Sequence, residues 1–348
     1  MSPTELWYRA KKLYSIYPGV VTPVSGTFLA GHYARRRQTR SAPRAVLDAI
    51  VGLAFLAWIP HRARGVQRRF GLSDGWRERA VRIARARFAD PNDIALFRIE
   101  EAGELDGYIR RFEDAGLNKR INPLAWTPDC ALADKIRFYE RCAAHGVAHP
   151  QVVATIVNGR VRVLAPVAGR SLLLKPARGE GGRGVRFLDP APEEEGAFAQ
   201  WLDRECKGLR GPWLVQTRIV PHGDLRDIAL NALPTARITT ILNETDRPEV
   251  VYGGGDYQAH PVTGAVLPGR AVPDWAAAMA LVIDAHGRAF ADYALIGWDV
   301  GFAPEGPVLI EGNGKPGVLM PQRAGRRGLG GGRYGELLAW QLARREGR

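Results

Sequence analysis

The chain of 348 residues has 46% hydrophobic residues, 24% charged residues and nine tryptophans, which excludes a disordered protein and is typical of a globular one. This length is enough for two or three domains. The formal net charge of +13 is uneven: residues 1–90 hold 17 Lys and Arg against 5 Asp and Glu, and residues 91–348 hold 32 against 31. An anionic surface is therefore the expected partner of the first quarter, unless its arginines only form a solvated helical face.

The cysteines indicate a reducing compartment. Cys130, Cys142 and Cys206 cannot all pair, and none lies in a CxxC spacing. We therefore expect a cytoplasmic protein and no structural zinc site. No secretory leader is expected, because the first thirty residues lack a long apolar run after a basic start.

The basic N-terminal region contains one apolar run, "AVLDAIVGLAFLAWIP" (45–60), between arginine-rich flanks. Twelve to fifteen apolar residues fall short of the ~20 that span a bilayer. The run predicts a core helix or, as the alternative, a helix lying in the plane of an anionic membrane at its inner face. Residues 74–90 predict an amphipathic helix with arginine on its polar face. No nucleic-acid motif accompanies these arginines, so peripheral membrane binding through residues 1–90 ranks above RNA or DNA.

The rest of the chain mixes helices and strands without strict βαβ alternation, which favours the α+β class. The predicted elements are, in chain order, a helix at 132–147 ending at Gly146, two strands in 149–166 around an Asn158-Gly159 hairpin turn, a strand at 171–177, a helix at 192–206, strands at 212–220 and 236–242, a helix at 273–293, and two strands in 295–314 around a turn at 304–307.

A lysine precedes a glycine-rich loop. Only seven of the 49 cationic residues are lysines, and Lys175 ends the apolar run "SLLLK". The loop after it holds Gly179, Gly181, Gly182 and Gly184. Without side chains, its backbone N–H groups can approach an anion and the loop can take positive φ. This predicts a cover for a triphosphate, with a ligand-free glycine hairpin as the alternative; the P-loop and GxGxxG patterns are absent.

Two carboxylates and an amide predict a magnesium site. In "GWDVGFAPEGPVLIEGN", Asp299 lies on one strand, and Glu311 and Asn313 lie on the next with their side chains on one face. If the strands pair across the turn, Asp299 reaches that face as well. Such hard oxygen ligands suit Mg²⁺, although strand-end carboxylates without a metal remain the alternative.

These motifs carry a resemblance. The order of "DK" (134–135), "LKP" (174–176), the glycine loop, "LVQ" (214–216) and "D…IEGN" resembles the ATP-grasp superfamily. Over about 95–320 the chain is similar to the sugar-transfer-associated ATP-grasp family, and residues 1–90 carry little of this. The strongest local matches are "NALPTARITT" (231–240), "HPVTGAV" (260–266), "VPDW" (272–275) and "GWDVGFAPEGPVLIEGN" (297–313).

The resemblance implies an α+β ATP-grasp fold, with two subdomains enclosing ATP, after a mainly helical N-terminal region. The implied division is a basic helical region at 1–93, the first part of the module at 94–150, a lid subdomain with the glycine loop at 151–222, and a C-terminal subdomain with the metal site at 223–348.

The resemblance also implies residue roles, with ATP and Mg²⁺ (or Mn²⁺) as cofactors. Residues for nucleotide binding would be Lys135, Lys175, Arg178, Gly179, Gly181, Gly182, Gly184, Gln216, Thr217, Ile219 and Asp224. Gln216 would contact the adenine amino group, and Asp224 the ribose. The metal ligands would be Asp299, Glu311 and Asn313. Arg237 would face the γ-phosphate and, with Lys175, would be catalytic.

The implied activity is amide formation from a small-molecule carboxylate and an amine through an acyl phosphate, in glycan or small-metabolite biosynthesis. The alternative is a phosphotransferase with a hydroxyl acceptor, for which His222, Asp227 or Asp256 would be the general base. A third hypothesis, a non-enzymatic membrane or nucleic-acid module, is disfavoured because the lysines and all three metal ligands are present.

The sequence departs from the family pattern at two places. Gln216 stands where many relatives have an acidic residue, but its amide oxygen can still accept a hydrogen bond from adenine. Lys315 follows the metal strand and predicts a contact with phosphate or with the acceptor carboxylate, or else only a surface turn. His222, His260 and Arg226 are further candidates near the site, each with a purely structural alternative.

Overall fold

The computed structural model describes residues 17–18, 20–21, 26–165, 167–179, 181–188, 191–230, 233–253, 260 and 262–347. The chain forms two compact units, Met1–Pro123 with Gly317–Arg348, and Leu124–Pro316. This division differs from the boundaries predicted at residues 93, 150 and 222. The C-terminal residues leave the predicted C-terminal subdomain because they pack on the N-terminal helices.

The helices are α1 (Ala30–Thr39), α2 (Ala42–Phe70), α3 (Asp74–Arg87), α4 (Pro91–Phe97), α5 (Arg111–Ile121), α6 (Lys135–Ala144), α7 (Glu195–Glu205), α8 (Arg226–Ala229), α9 (Trp275–Ala289), α10 (Leu319–Gly325) and α11 (Arg333–Glu346). The strands are β1 (Val152–Val157), β2 (Arg160–Val163), β3 (Leu172–Pro176), β4 (Arg186–Leu188), β5 (Trp213–Thr217), β6 (Thr235–Leu242), β7 (Pro248–Gly253), β8 (Leu295–Ala303) and β9 (Gly306–Asn313).

The first unit is helical and includes the end of the chain. The buried Gln322 side chain on α10 accepts the N–H of Ile109 and donates to its carbonyl oxygen, both at 2.9 Å. On α11, the Glu346 carboxylate contacts His32 at 2.5 Å and Arg35 at 2.6 Å. These contacts hold the last two helices against the N-terminal ones, and the predicted helical N-terminal region is confirmed.

The apolar run at 45–60 belongs to a longer helix than its sequence suggests. α2 has 29 residues with Pro60 inside, and it ends at Gly71, whose φ of +63° suits a glycine. By length and composition alone, it could cross a membrane: an 18-residue window has a mean hydropathy of 1.6, and 22% of that window is buried. The prediction of a core helix is therefore wrong for much of the surface of α2, because only one face of this helix is packed.

In the second unit, one sheet has five antiparallel strands in the order β2-β1-β5-β3-β4. The predicted hairpin turn is confirmed: Asn158 and Gly159 have φ of +52° and +76°, as a type I′ turn requires. Buried side chains of this sheet, such as Leu172 and Leu174, share an apolar core with Phe198 and Leu202 of α7. The core fixes the strand that carries Lys175.

The other sheet has four antiparallel strands in the order β7-β6-β8-β9. Its largest buried side chain, Trp298, packs against Phe138 of α6 and Phe290. The predicted pairing across the turn at 304–307 is confirmed by β8 and β9. Two antiparallel sheets with flanking helices confirm the predicted α+β fold class.

Candidate functional site

The glycine loop leaves the five-stranded sheet at Lys175 and returns at β4. Leu174 pairs with Arg186, so the loop closes a hairpin between neighbouring strands. The loop glycines all have positive φ, with values of +132° at Gly179, +69° at Gly181, +68° at Gly182 and +78° at Gly184. Residues with a side chain rarely adopt this backbone conformation, so glycine is needed to shape the turn.

Lys175 is buried, and no carboxylate of the described residues is bound to it. The residue is 5% exposed, and its ammonium group donates a hydrogen bond to the Tyr139 hydroxyl at 2.9 Å. Burial and, to a smaller extent, the charge of Lys135 lower the pKa of Lys175 to about 7, although the charge of Glu311 opposes both effects. Tyr139 in turn donates to the carbonyl oxygen of Ile310 at 2.7 Å. The two hydrogen bonds of Tyr139 hold the lysine beside β9. An anionic ligand next to Lys175 would supply the missing negative charge.

Lys135 connects the glycine loop with β9. Its ammonium group donates to the carbonyl oxygen of Gly179 at 2.9 Å and lies 3.5 Å from the Glu311 carboxylate. The preceding Asp134 caps α6 by accepting the N–H of Ile136 at 3.1 Å. The second oxygen of Asp134 accepts from Arg178 at 3.0 Å. The "DK" pair thus places one cation in the site and ties the loop to the start of α6.

Three charged residues stand in a row across the four-stranded sheet. Arg237 on β6 lies opposite Asp299 on β8, which lies opposite Glu311 on β9. Directly opposite residues of antiparallel strands project from the same face. The Arg237 guanidinium binds both oxygens of Asp299, at 2.5 and 3.0 Å. Asp299 is therefore neutralised by Arg237, and Glu311 is balanced by Lys135 of α6, in contrast to Lys175.

The predicted metal ligands fit Mg²⁺ in part. Glu311 and Asn313 offer oxygen atoms on the same face of β9, and Asn313 also accepts the N–H of Lys315 at 2.8 Å. Asp299 fits only if Arg237 releases it, because both of its oxygens are bound. Within the described residues, no group of three or more His, Cys, Asp and Glu side chains could hold a metal ion.

The buried end of the cleft fits an adenine ring. Gln216 on β5 is 3% exposed, and its amide oxygen has no hydrogen-bond partner among the described residues. Apolar side chains surround this end, including Leu173, Phe187 and Ile310. A buried acceptor that lacks a donor is costly unless a ligand supplies one. The exocyclic amino group of adenine is such a donor.

The glycine loop, Lys135, Lys175, Gln216 and Glu311 line one cleft with a volume of about 480 Å³, in the range of small-molecule sites, whereas Arg237 and Asp299 do not line it. A second cavity of about 1000 Å³ shares the glycine loop and Glu311 with it. Asn313 and Lys315 line the second cavity, and Lys315 lies 4.3 Å above the ring of Trp126. The sheet that carries Glu311 therefore faces two adjoining spaces.

The structure brings most of the predicted nucleotide residues together. Those that line the cleft are Lys135, Lys175, Arg178, Gly179, Gly181, Gly182, Gln216 and Ile219. Thr217 is buried, Gly184 packs near Pro176, and neither lines the cleft. The Asp224 side chain is 75% exposed, lies in the short 3-10 helix Gly223–Leu225 and does not line the cleft.

The other candidates have local partners. His222 accepts the N–H of Asp224 at 3.2 Å, and His260 accepts the N–H of Thr263 at 3.1 Å. Both histidines stabilise turns in this way. Asp227 is paired with Arg270. Asp256 lies outside the described residues, and the structure gives Arg226 no contact with the cleft lining.

Sequence reasoning missed Tyr139 and Trp126. Tyr139 follows Lys135 by four residues on a predicted helix, so their side chains lie on one face. That spacing could have indicated a role for the tyrosine. Nothing in the sequence near Trp126 indicates its contact with Lys315, because 189 positions separate the two residues.

One segment of the chain matches a family of known proteins. Residues 249–333 match the family model described as sugar-transfer associated ATP-grasp. This segment includes β8 and β9 with Asp299, Glu311 and Asn313. The predicted resemblance to the ATP-grasp superfamily is thereby confirmed. Comparison with the curated proteins found no match.

Solved structures similar to this chain include two ligases and one carboxylase domain. D-alanine–D-alanine ligase from Helicobacter pylori is 14% identical over 61% of this chain and 59% of its own, with a TM-score of 0.40. D-alanyl-alanine synthetase A from Vibrio cholerae is 15% identical over 65% and 68%, with a TM-score of 0.42. The biotin carboxylase domain of Hydrogenobacter thermophilus 2-oxoglutarate carboxylase is 19% identical over 63% and 46%, with a TM-score of 0.40.

The chain spans about 60% of the length of the first D-alanine–D-alanine ligases that it matches. Likeness at these values is too low to indicate a substrate or a reaction for this chain.

Proposed function

We propose that the protein is an ATP- and Mg²⁺-dependent ligase that joins a carboxylate to an amine. The observation that carries this proposal is the cleft in which Lys135 and Glu311 lie next to buried Lys175, to which no carboxylate in the described part of the chain is bound. A cleft with two cations and an acidic residue suits a nucleoside triphosphate with its metal ion. The resemblance to ATP-grasp enzymes over 249–333 supports the same reading.

The nucleotide would lie along the five-stranded sheet. Gln216 would accept a hydrogen bond from the adenine amino group, with Leu173 and Ile310 against the ring faces. Lys175 would bind the inner phosphates, and the glycine loop would cover them with its backbone N–H groups. Lys135 would reach the phosphates from the other side, since its contact with Gly179 already places it under the loop.

Glu311 and Asn313 would hold Mg²⁺, with Asp299 as a further ligand after release from Arg237. A bound Mg²⁺ supplies neutralisation of phosphate charge. Arg237 and Lys135 would then change partners, from the carboxylates to the phosphate oxygens.

The chemistry requires positioning and charge more than protein acids or bases. An oxygen of the substrate carboxylate attacks the γ-phosphorus, the bond to the β-phosphate oxygen breaks, and ADP leaves. The amine then attacks the acyl carbon, phosphate departs with the bonding electrons, and the amine loses a proton. Lys175, Lys135 and Arg237 would stabilise the charge on the transferring group.

The second cavity would receive the carboxylate substrate. It adjoins the cleft at Glu311, and Arg183 and Lys315 provide positive charge along its wall. A carboxylate held there would lie next to the end of the triphosphate. Among the described residues nothing favours the phosphotransferase, because the candidate bases His222 and Asp227 have structural partners.

The test is hydroxylamine trapping with Mg-ATP and a panel of carboxylates. Hydroxylamine converts an acyl phosphate into a hydroxamate, so the amine need not be known. We expect hydroxamate from the wild-type protein, none from Glu311→Gln, and normal amounts from Glu305→Gln in the exposed turn before β9. ADP without hydroxamate, together with a phosphorylated acceptor, would assign the phosphotransferase instead.

A further inference from the structure

One face of α2 is an exposed apolar stripe formed by Val46, Leu47, Ile50 and Leu53. These side chains are 60%, 45%, 59% and 57% exposed. Their spacing places them on one side of the helix across two turns. Single exposed apolar residues are ordinary, whereas a contiguous stripe marks an interaction surface.

The same helix face continues into a basic end. His61, Arg64 and Arg68 follow the apolar stripe at helical spacing and are exposed. Neither arginine has an ion-pair or hydrogen-bond partner in the described part of the chain. Arg64 and Arg68 are therefore available to an external anion at one end of the stripe.

The opposite face of α2 is packed within its own unit. Phe55, Ile59, Ala63 and Val66 are at most 6% exposed, and the Phe55 ring lies 4.8 Å from that of Phe88. Lipid cannot surround a helix that is bound to its neighbours along one side. α2 is long enough to cross a bilayer, but this packing favours an orientation in the plane of the surface.

A buried ion pair strengthens the same conclusion. Asp48 is 2% exposed and is bound by Arg40 at 3.1 Å and Arg44 at 2.9 Å. In a spanning orientation this cluster would enter the hydrocarbon next to the apolar stripe, where charged groups are costly. In an in-plane orientation it stays on the protein side of the helix.

We infer that α2 binds the surface of an anionic bilayer, with the apolar stripe in the acyl boundary and Arg64 and Arg68 at the lipid phosphates. The charge of the region selects this partner. Residues 1–90 hold 17 Lys and Arg against 5 Asp and Glu, so a second copy is repelled and an anionic surface is attracted. This function is independent of the nucleotide cleft and would bring the enzyme to substrates at a membrane.

The experiment is flotation of the full chain with phosphatidylcholine vesicles, with or without phosphatidylglycerol, at low and high salt. We expect binding only to the anionic vesicles and release by salt. The pair Arg64→Gln with Arg68→Gln should weaken binding roughly tenfold or more. The pair Ile50→Glu with Leu53→Glu should abolish binding.

Matched controls lie in the other unit. Val262→Glu replaces an apolar residue that is 75% exposed, and Arg162→Gln removes an exposed arginine; both should bind as the wild type does. A thermal melt checks that each variant is folded. If the glutamate pair unfolds, the glutamine pair, which alters only exposed side chains, still decides the outcome.

Three results would overturn the inference. The first is a wild-type protein that does not float with anionic vesicles. The second is resistance to carbonate extraction, which would assign a spanning helix. The third is a dimer in light scattering that Ile50→Glu with Leu53→Glu dissociates, without vesicle binding, which would assign the stripe to a second copy.

Discussion

The two sheets of the 124–316 unit hold their polar groups in different ways. On the five-stranded sheet, Lys175 has no carboxylate partner and the Gln216 oxygen has no donor among the described residues. On the four-stranded sheet, Asp299 is neutralised by Arg237 and Glu311 lies beside Lys135. The proposed nucleotide would supply missing interactions on the five-stranded sheet and would exchange existing ones on the four-stranded sheet.

This difference predicts that one sheet contributes mainly to nucleotide affinity and the other mainly to catalysis. Groups that lack partners gain the most from a bound nucleotide, so the five-stranded sheet should dominate binding. Groups that already form ion pairs gain little in the ground state. In the proposed function they would contribute when the metal and the transferring phosphoryl group take over their charges, which would place the catalytic effect on the four-stranded sheet.

The largest expected effect comes from a substitution on the four-stranded sheet. Glu311→Gln keeps the size of the side chain and removes its charge, so the metal loses a ligand and Lys135 loses its anion. We expect Mg-ATP turnover to fall by roughly 10²-fold or more. ADP release measures it, and Glu305→Gln on the same hairpin is the control. Turnover within twofold of the wild type would remove Glu311 from the site.

The next largest effect comes from a substitution on the five-stranded sheet. Lys175→Met keeps the length of the side chain, and ATP affinity should fall by about 10- to 100-fold because one charge-assisted contact is lost. Its pKa of about 7 also predicts proton uptake on binding at pH 8, since the free lysine is neutral there and the bound one is charged. Calorimetry in buffers of different ionisation enthalpy measures this uptake as the difference between wild type and variant. Equal uptake in both proteins would contradict the assignment.

The same lysine should limit stability. Its pKa is lowered from 10.5 to about 7 on folding, so the unfolded chain binds more protons between these values and stability rises with pH across that window. Below pH 7 the cost of the buried charge is complete. Lys175→Met should therefore raise the melting temperature most at pH 6 and least at pH 10. A rise in melting temperature that does not depend on pH would show that the charge of Lys175 does not destabilise the folded protein.

A smaller effect concerns the second cavity. Lys315→Ala removes a cation from its wall and from the Trp126 ring, and the KM of the carboxylate substrate should rise by about tenfold. The KM of ATP should stay unchanged, which separates the two spaces kinetically. Lys207→Ala, at an exposed position, is the control. An equal rise for both substrates would show that the two spaces are not separate subsites.

The smallest effect sharpens the role of the glycine loop. A Cβ at Gly184 would lie 3.0 Å from Pro176 at a φ of +78°, so Gly184→Ala should destabilise the protein by about 1–2 kcal/mol. Gly196 on α7 has open space around it, and Gly196→Ala should stabilise by about 0.5–1 kcal/mol. Urea unfolding measures both. A neutral Gly184→Ala would show that the loop relaxes freely around this position.

Local patterns could predict much of the fold and some of the site. The Asn158-Gly159 turn and the pairing of β8 with β9 follow from neighbouring residues, and this pairing places Asp299 opposite Glu311. The position of Lys175 follows from its strand and the glycines after it. These signals act over short separations, where turn type and strand alternation determine geometry.

Contacts between distant segments could not be predicted. The pairing of Arg237 with Asp299 depends on the register of β6 against β8, which no local pattern determines. The bond between Lys175 and Tyr139 likewise depends on how α6 packs on the sheet. The apolar run at 45–60 predicted a core helix because composition does not say which face of α2 finds neighbours.

Nucleotide binding is the most direct test of the central claim that this cleft binds Mg-ATP between the two sheets. Titration of ATP with and without Mg²⁺ would compare the wild type with Lys175→Met and Glu311→Gln. We predict that Lys175→Met weakens binding in both conditions, whereas Glu311→Gln removes only the enhancement by Mg²⁺. Wild-type affinity in both variants, or no binding of ATP to the wild-type protein, would contradict the assignment of this cleft.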